Sequence, residues 1–323
     1  MQAGAPQSEI LRSIFVGGGT PSTLSPTEWN QLAGLIRRHF ALAEECEWTC
    51  EANPESLTAE LIQAWAESGV NRVSVGIQAF QPSLRAAIGR RGSPDRLPKL
   101  VDTLRHNGIH RLNFDLIFNI PGQTLKDWQD TLRQALAFDP EHLSAYALTI
   151  EENSRLGQRH LPQPDDEMFV HFWDMTDETL ATAGLRRYEI SNFAIQGREC
   201  RHNLEIWKGA TYLGVGPSAA SFDGFLRFTN PASFTEWLAG APPEKDPLPP
   251  VERAAEILAT GMRTVNGWSW SEFTARTGHD ARQIRSQAIA RIQQRGLVES
   301  DAHGMRPTRQ GLLFNDDLAM ELL

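Results

Sequence analysis

Apolar and polar positions in the first two thirds of the chain follow two alternating rhythms. Short runs of β-branched and aromatic residues, the mark of buried strands, give way to segments with apolar residues at helical spacing. Ile14-Phe15-Val16 runs into Gly17-Gly18-Gly19-Thr20-Pro21, and the segment 26–39 then places Trp29, Leu32, Leu35 and Ile36 on one face. Ser25 as N-cap, Pro26 at the first helical position and Glu28 at N3 predict a capping box there. Further strands are predicted at 47–51, 72–77, 112–117, 142–146 and 187–190. Thr58 opens a helix that Gly69 closes, and a broken helical region ends at Asn107-Gly108. Thr124 with Asp127 opens another helix, and 166–183 is a helix closed by Gly184. Strands therefore begin near 12, 47, 72, 111, 142 and 186 with a helix between each pair, which predicts a parallel sheet with right-handed crossovers. A partial barrel, a full barrel and a doubly wound sheet all fit, and each carries function at the C-terminal strand ends.

The rhythm stops at residues 240–250, where five prolines fall in eleven positions. Proline neither continues a helix nor pairs centrally in a sheet, so the stretch reads as a linker. Beyond it, helices are predicted at 251–264, 271–277 and 281–295, then a hairpin about a turn at 301–304, then a helix from Thr308. That order makes a winged-helix-like α+β module. The expected division is 1–240 and 241–323.

Composition narrows the setting. The 41% hydrophobic and 22% charged content of the 323 residues is that of a soluble globular protein. No apolar run approaches the ~18 residues of a membrane helix, and Met1–Pro6 lacks a signal-peptide pattern. An odd count of three cysteines points to a reducing, cytoplasmic setting. A net charge of −9 argues against broad electrostatic binding of nucleic acid or anionic lipid.

The chemistry gathers at the strand ends. Three glycines after the first strand allow positive φ and close approach of a ligand to the main chain, and a tight βα turn is the plainer reading of the same residues. Glu51 and Asn53 follow the second strand and Gln78 the third, Asp115 lies within the fourth, and Tyr146 and Thr149 close the fifth. Polar groups inside apolar strands are costly to bury without partners, and their recurrence at one end of several strands points to a ligand site.

In combination these residues resemble the radical SAM family of oxygen-independent coproporphyrinogen III oxidases. The matching stretches are Ile14-Phe-Val-Gly-Gly-Gly-Thr-Pro-Ser22, Glu51-Ala-Asn-Pro54, Ser74-Val-Gly-Ile-Gln-Ala-Phe80 and Asn113-Phe-Asp-Leu-Ile-Phe118. Pro121-Gly-Gln-Thr124, Tyr188-Glu-Ile-Ser-Asn-Phe-Ala194 and His202-Asn203-x-x-x-Trp207 are most similar to its HemW branch, described as heme chaperones. The resemblance runs from about Ser8 to the C-terminus. It implies a partial (β/α)6-type barrel with a [4Fe–4S] cluster and S-adenosylmethionine. Gly18, Gly19 and Thr20 would contact the methionine portion, and Glu51, Gln78, Arg90 and Asp115 would fall at further positions of that site. Backbone amides suit a carboxylate, and acidic side chains suit an ammonium group and ribose hydroxyls. His202 would be the heme ligand, with Arg186, Arg187, Arg198 and Arg201 near it as partners for propionates.

The chain also departs from the family. The cluster motif C-x3-C-x2-C precedes the glycine strand, whereas the sixteen residues before Gly17 contain no cysteine. Cys46-x3-Cys50 lacks a third cysteine and lies in a different strand. The barrel is thus expected to lack its first βα unit and the chain to be a fragment, with a cluster-less homologue as the other explanation. The family's Gly-Leu-Pro is Asn119-Ile120-Pro121, its Tyr before the Trp is Ile206, and its Gly-Pro-Gly-Ala-His-Ser is Gly216-Pro217-Ser218-Ala219-Ala220-Ser221. The expected function is a heme chaperone acting with heme-accepting proteins, with neither a membrane span nor a nucleic-acid partner. The alternatives are a radical enzyme decarboxylating coproporphyrinogen III, which needs the absent cysteines, and a nucleic-acid regulator using Arg282, Arg285, Arg291 and Arg295.

Overall fold

The computed structural model describes residues 10–90, 92–150, 156–159 and 166–323. The segment 1–6 and the start of the resemblance at Ser8 lie outside them. The chain forms two compact units, one running from Ile10 to Arg187 with Ser191–Glu199, the other comprising Tyr188–Ile190 and Cys200–Leu323.

The first unit alternates strand and helix in the expected order. Its elements begin β1 (Ile10–Val16), α1 (Pro26–His39), β2 (Ala41–Ala52), α2 (Ala59–Ser68), β3 (Arg72–Gln78), α3 (Pro82–Ala87) and α4 (Leu97–His106). They continue with β4 (Arg111–Phe118), α5 (Leu125–Leu136), β5 (His142–Ala147), α6 (Asp166–Thr182), β6 (Arg186–Arg187) and β7 (Asn192–Ala194). Capping boxes at Ser25/Glu28 and Thr124/Asp127 open α1 and α5, and Gly69 closes α2 in a left-handed turn. Strands β1 to β5 lie side by side in parallel. The sixth expected strand differs, because β6 and β7 form an antiparallel pair whose β7 edge joins β5. Only residues 188–191 link them, and a parallel connection needs a crossover of a dozen residues or more.

Side chains alternate across this sheet. Trp48, Cys50, Val73, Val75, Leu112, Phe114, Leu116 and Leu143 share one buried face. The helices cover that face: Trp29 packs 6.0 Å from Trp48 and 5.7 Å from Trp65, and Trp128 packs 5.5 Å from Phe118. The opposite face carries Thr49, Glu51, Ser74, Asn113, Asp115, His142 and Ser144. Parallel strands are ordinarily apolar on both faces, so this polar face stands out as the place to look for a candidate site.

The first helix of the second unit is α7 (Arg201–Trp207). A three-stranded antiparallel sheet follows, made of β8 (Ala220–Phe222), β9 (Arg227–Thr229) and β10 (Glu244–Asp246), with α8 (Phe234–Leu238) between its last two strands. The proline-rich stretch is therefore partly ordered: between its prolines, Glu244–Asp246 pairs as an edge strand, where a missing donor is tolerated. Next come α9 (Pro250–Gly261), β11 (Trp268–Ser269), α10 (Trp270–Thr277), α11 (Ala281–Ile284) and α12 (Ser286–Gln294). The last elements are β12 (Val298–Ser300), β13 (Gly304–Pro307), α13 (Arg309–Leu313) and α14 (Asn315–Leu322). The strand order β11-β13-β12 and the two flanking helix pairs give the expected winged-helix-like arrangement about a core of Leu258, Met262, Trp268, Phe273 and Ile292. The single helix expected over 281–295 is broken at Arg285, whose φ is −136°.

Candidate functional site

The glycine turn closes over Glu51. A Cβ on Gly17 would lie 2.5 Å from the Glu51 carboxyl carbon, so a side chain there would push the carboxylate out of its place. Gly18, at φ +77°, donates its N–H to Glu51 Oε2 at 3.3 Å. Gly19 and Thr20 are exposed beside it. Burial and the nearby Asp115 carboxylate push the Glu51 carboxyl up, and the Gly18 amide opposes them. Asp115 is held from the side, accepting from Ser74 Oγ at 2.7 Å and from Asn113 Nδ2 at 2.8 Å. Asn113 Oδ1 in turn contacts His142 Nδ1 at 2.6 Å and accepts from Ser144 Oγ at 3.1 Å. His142 is buried, and desolvation, then Arg72 and Arg111, hold its pKa well below the ordinary 6.5.

Gln78 and Arg90 meet over another bare backbone position. The β3–β4 register shifts between Gly76 and Gln78, and Gln78 adopts φ +69°, a conformation rare for a side-chain-bearing residue. A Cβ on Gly76 would lie 3.1 Å from Gln78 Nε2 and 3.8 Å from Arg90 Nη2. The strained turn is clamped by Arg85. Its Nη1 donates to the carbonyls of Ile77 (2.7 Å) and Ala79 (3.3 Å) on either side of Gln78, its Nη2 to Glu55 (3.0 Å), and its Nε to Gly92 (3.3 Å). Its own carbonyl accepts from the Arg90 amide at 2.8 Å.

The structure thus brings Gly18, Glu51 and Asp115 together on the polar face, and Gln78 with Arg90 over Gly76. His202 lies in the other unit, half-buried on α7 with Ile206 one turn along. Of the arginines expected near it, Arg187 is committed within the first unit. It pairs with Asp177 at 2.9 Å and stacks 3.5 Å from the Trp173 ring centre. Arg198 pairs with Glu141 at 3.4 Å. Arg201 is exposed on α7 itself. Reading strand ends alone missed Arg85 and the interior network of Ser74, Asn113, His142 and Ser144. A signal for the network was present, since polar residues recur at every second position of strands otherwise apolar.

Residues 2–135 match the Radical SAM superfamily and residues 248–314 the HemN C-terminal domain. The fold is that of a radical SAM half-barrel: it superposes on the Escherichia coli coproporphyrinogen III oxidase HemN with a TM-score of 0.83. That match is 20% identical and covers 96% of this chain and 77% of the other. The relatives go further. Proteins named heme chaperone HemW are 33% identical in Escherichia coli, covering 97% of this chain and 84% of the relative, and 32% in Haemophilus influenzae, covering 97% and 83%. The Bacillus subtilis protein of that name is 30% identical over 95% of this chain and 84% of its own length. The chain belongs to the HemW family of radical SAM proteins.

Two cofactors follow from that family and fit differently. The residues present suit S-adenosylmethionine in kind: bare backbone at Gly17–Gly19 and donors and acceptors in Glu51, Gln78, Arg90 and Asp115 are groups that such a molecule would use. A [4Fe–4S] cluster does not fit the residues of this chain. Cys46, Cys50 and Cys200 are all buried, and Cys46 and Cys50 stand four strand positions apart, about 13 Å along β2. Among the described residues no three histidines, cysteines or acids are grouped to hold a metal ion. Nor is any described helix long and apolar enough to cross a membrane.

Proposed function

We propose that this protein binds heme as a HemW-type chaperone, with the His202 imidazole on the iron, and hands it to heme-accepting proteins. The observation that carries this is the placement of His202. The histidine of the family motif stands half-buried on an ordered helix, with the motif's Trp207 at that helix's end. Imidazole is a usual axial ligand of heme iron. Arg201, exposed beside His202, is the arginine of this helix that a propionate would reach.

The same proposal gives the first unit an S-adenosylmethionine site. The amides of Gly18 and Gly19 and the Thr20 hydroxyl take the methionine portion. Asp115 and Glu51 serve its ammonium and ribose hydroxyls, and Gln78 and Arg90 border the rest. In radical SAM proteins this cofactor, joined to a reduced cluster, is the source of a carbon radical. No step of that kind is assigned to residues of this chain.

The test is a titration of the full chain with ferric heme, followed at the Soret band. His202→Ala weakens binding at least about tenfold, the size expected for loss of a ligand with its positioning. Unchanged affinity in that variant sinks the assignment.

A further inference from the structure

Helix α7 ends against the C-terminal module, and the contacts there are unusually specific for a surface helix. Gly209, at φ +67°, turns the chain out of the helix. A Cβ there would lie 2.7 Å from Ile257 Cγ2, so its backbone rests directly on α9. Thr260 Oγ1 donates to the Trp207 carbonyl at 3.2 Å, and the Arg263 guanidinium lies 4.4 Å from the Trp207 ring centre. Glu205 pairs with Arg276 on α10 at 3.6 Å.

Lys208 is the strongest of these holds. Its side chain is only 15% exposed. Its ammonium donates to the Gly267 carbonyl and to Glu272 Oε2 at 3.2 Å, and sits 4.0 Å from the Trp268 ring centre. Trp268 is fixed in turn, buried edge-on against Phe273 at 5.3 Å. Withdrawing an ammonium from water is costly unless its donors are used, and here a carbonyl, a carboxylate and a ring face use them. A lysine kept only for solubility would stay in water. Lys208 stands six residues beyond His202, about 9 Å along a helix axis, and is tied to Trp268, so it does not share the histidine's ligand.

We infer that the C-terminal module is a platform that sets the orientation of α7, and that Lys208 is the positioning residue through which it aims the His202 imidazole. This rests on the reading of His202 as the heme ligand. Truncating Lys208 leaves the helix formed and its other contacts in place but removes its most buried tie to the module, so the effect falls on the iron's ligand field as well as on affinity.

The experiment is ferric heme titration of the full chain carrying Lys208→Met, Lys208→Arg, Glu272→Gln or His202→Ala. Soret position and electron paramagnetic resonance report the iron ligand, and circular dichroism reports the fold. Lys208→Met weakens heme binding roughly tenfold, the low end for losing an outer partner of a metal ligand, and shifts the ligand spectrum. Lys208→Arg restores both, because a guanidinium also stacks on Trp268 and donates to the Gly267 carbonyl. Glu272→Gln shifts the spectrum in the same direction by less, which tests the idea even if Lys208→Met fails to fold. Wild-type spectra and affinity in Lys208→Met, or in Glu272→Gln where the methionine variant is unfolded, overturn the inference while leaving His202 in place. Unchanged binding by His202→Ala overturns both.

Discussion

Ser218 holds φ +58° at a position where the family pattern has glycine. Left-handed backbone costs an L-residue about 1–2 kcal/mol, part of which glycine gives back through its freer unfolded chain. The contact that anchors the turn, the Ser218 amide to the Pro231 carbonyl at 3.2 Å, does not involve its side chain. Ser218→Gly therefore stabilises the protein by about 0.5–1 kcal/mol, read as a higher urea midpoint at unchanged slope. A midpoint that stays or falls counts against strain at this turn. Asn119 replaces another family glycine and also sits at positive φ, +59°, but asparagine is the side chain that best tolerates that region. At residue scale the sequence was legible where a glycine or its replacement marked a turn. It was silent on the backbone of Gln78, because nothing in the residue type announces a register shift and a left-handed conformation.

The strands tell the same story one level up. Polar residues at 49 and 51, at 74, at 113 and 115, and at 142 and 144 were open to view in the sequence. A sheet read as parallel led attention to its ends, although period-two alternation in such strands already implies one polar face. The β6–β7 hairpin was hidden for another reason, since helix-to-strand alternation up to 182 gave no hint that the last link would be too short for a crossover. The interior network has a pH signature. His142 is neutral in the fold and takes a proton below 6.5 in the unfolded chain, so unfolding binds a proton and stability falls as pH drops below that value. The slope it contributes is at most about 1.4 kcal/mol per pH unit. His142→Gln, which can still hydrogen-bond Asn113, flattens the decline in urea stability between roughly pH 6.5 and 5.5. An equal decline in wild type and variant assigns it to other groups. Glu51 acts in the opposite sense at lower pH, its contribution being complete below the ordinary carboxylate value of 4.5 and lost as pH rises above it.

For the whole molecule, charge bears on which ligands are favoured. The four arginines over 282–295 that suggested a phosphate-binding face are each paired within the second unit. Arg282 pairs with Asp280 at 2.7 Å, Arg285 with Glu252, Arg291 with Glu321 at 2.8 Å and Arg295 with Asp317 at 3.0 Å. With a net charge of −9 as well, the chain offers a polyanion little reason to bind. Small ligands remain, and the proposal assigns one to each unit, which predicts two distinct footprints in amide hydrogen exchange of the full chain. Ferric heme slows exchange over residues 201–208, the helix that carries His202 and its anchor. S-adenosylmethionine slows it at Gly18–Thr20 and at 76–79, where the glycine turn and the Gln78 turn present their backbone. A ligand binding only the folded form at 100 times its Kd suppresses local opening by about 100-fold, well within what exchange resolves. Heme that binds without protecting 201–208 places its ligand elsewhere than His202. S-adenosylmethionine that binds without protecting either turn removes the glycine loop from its site.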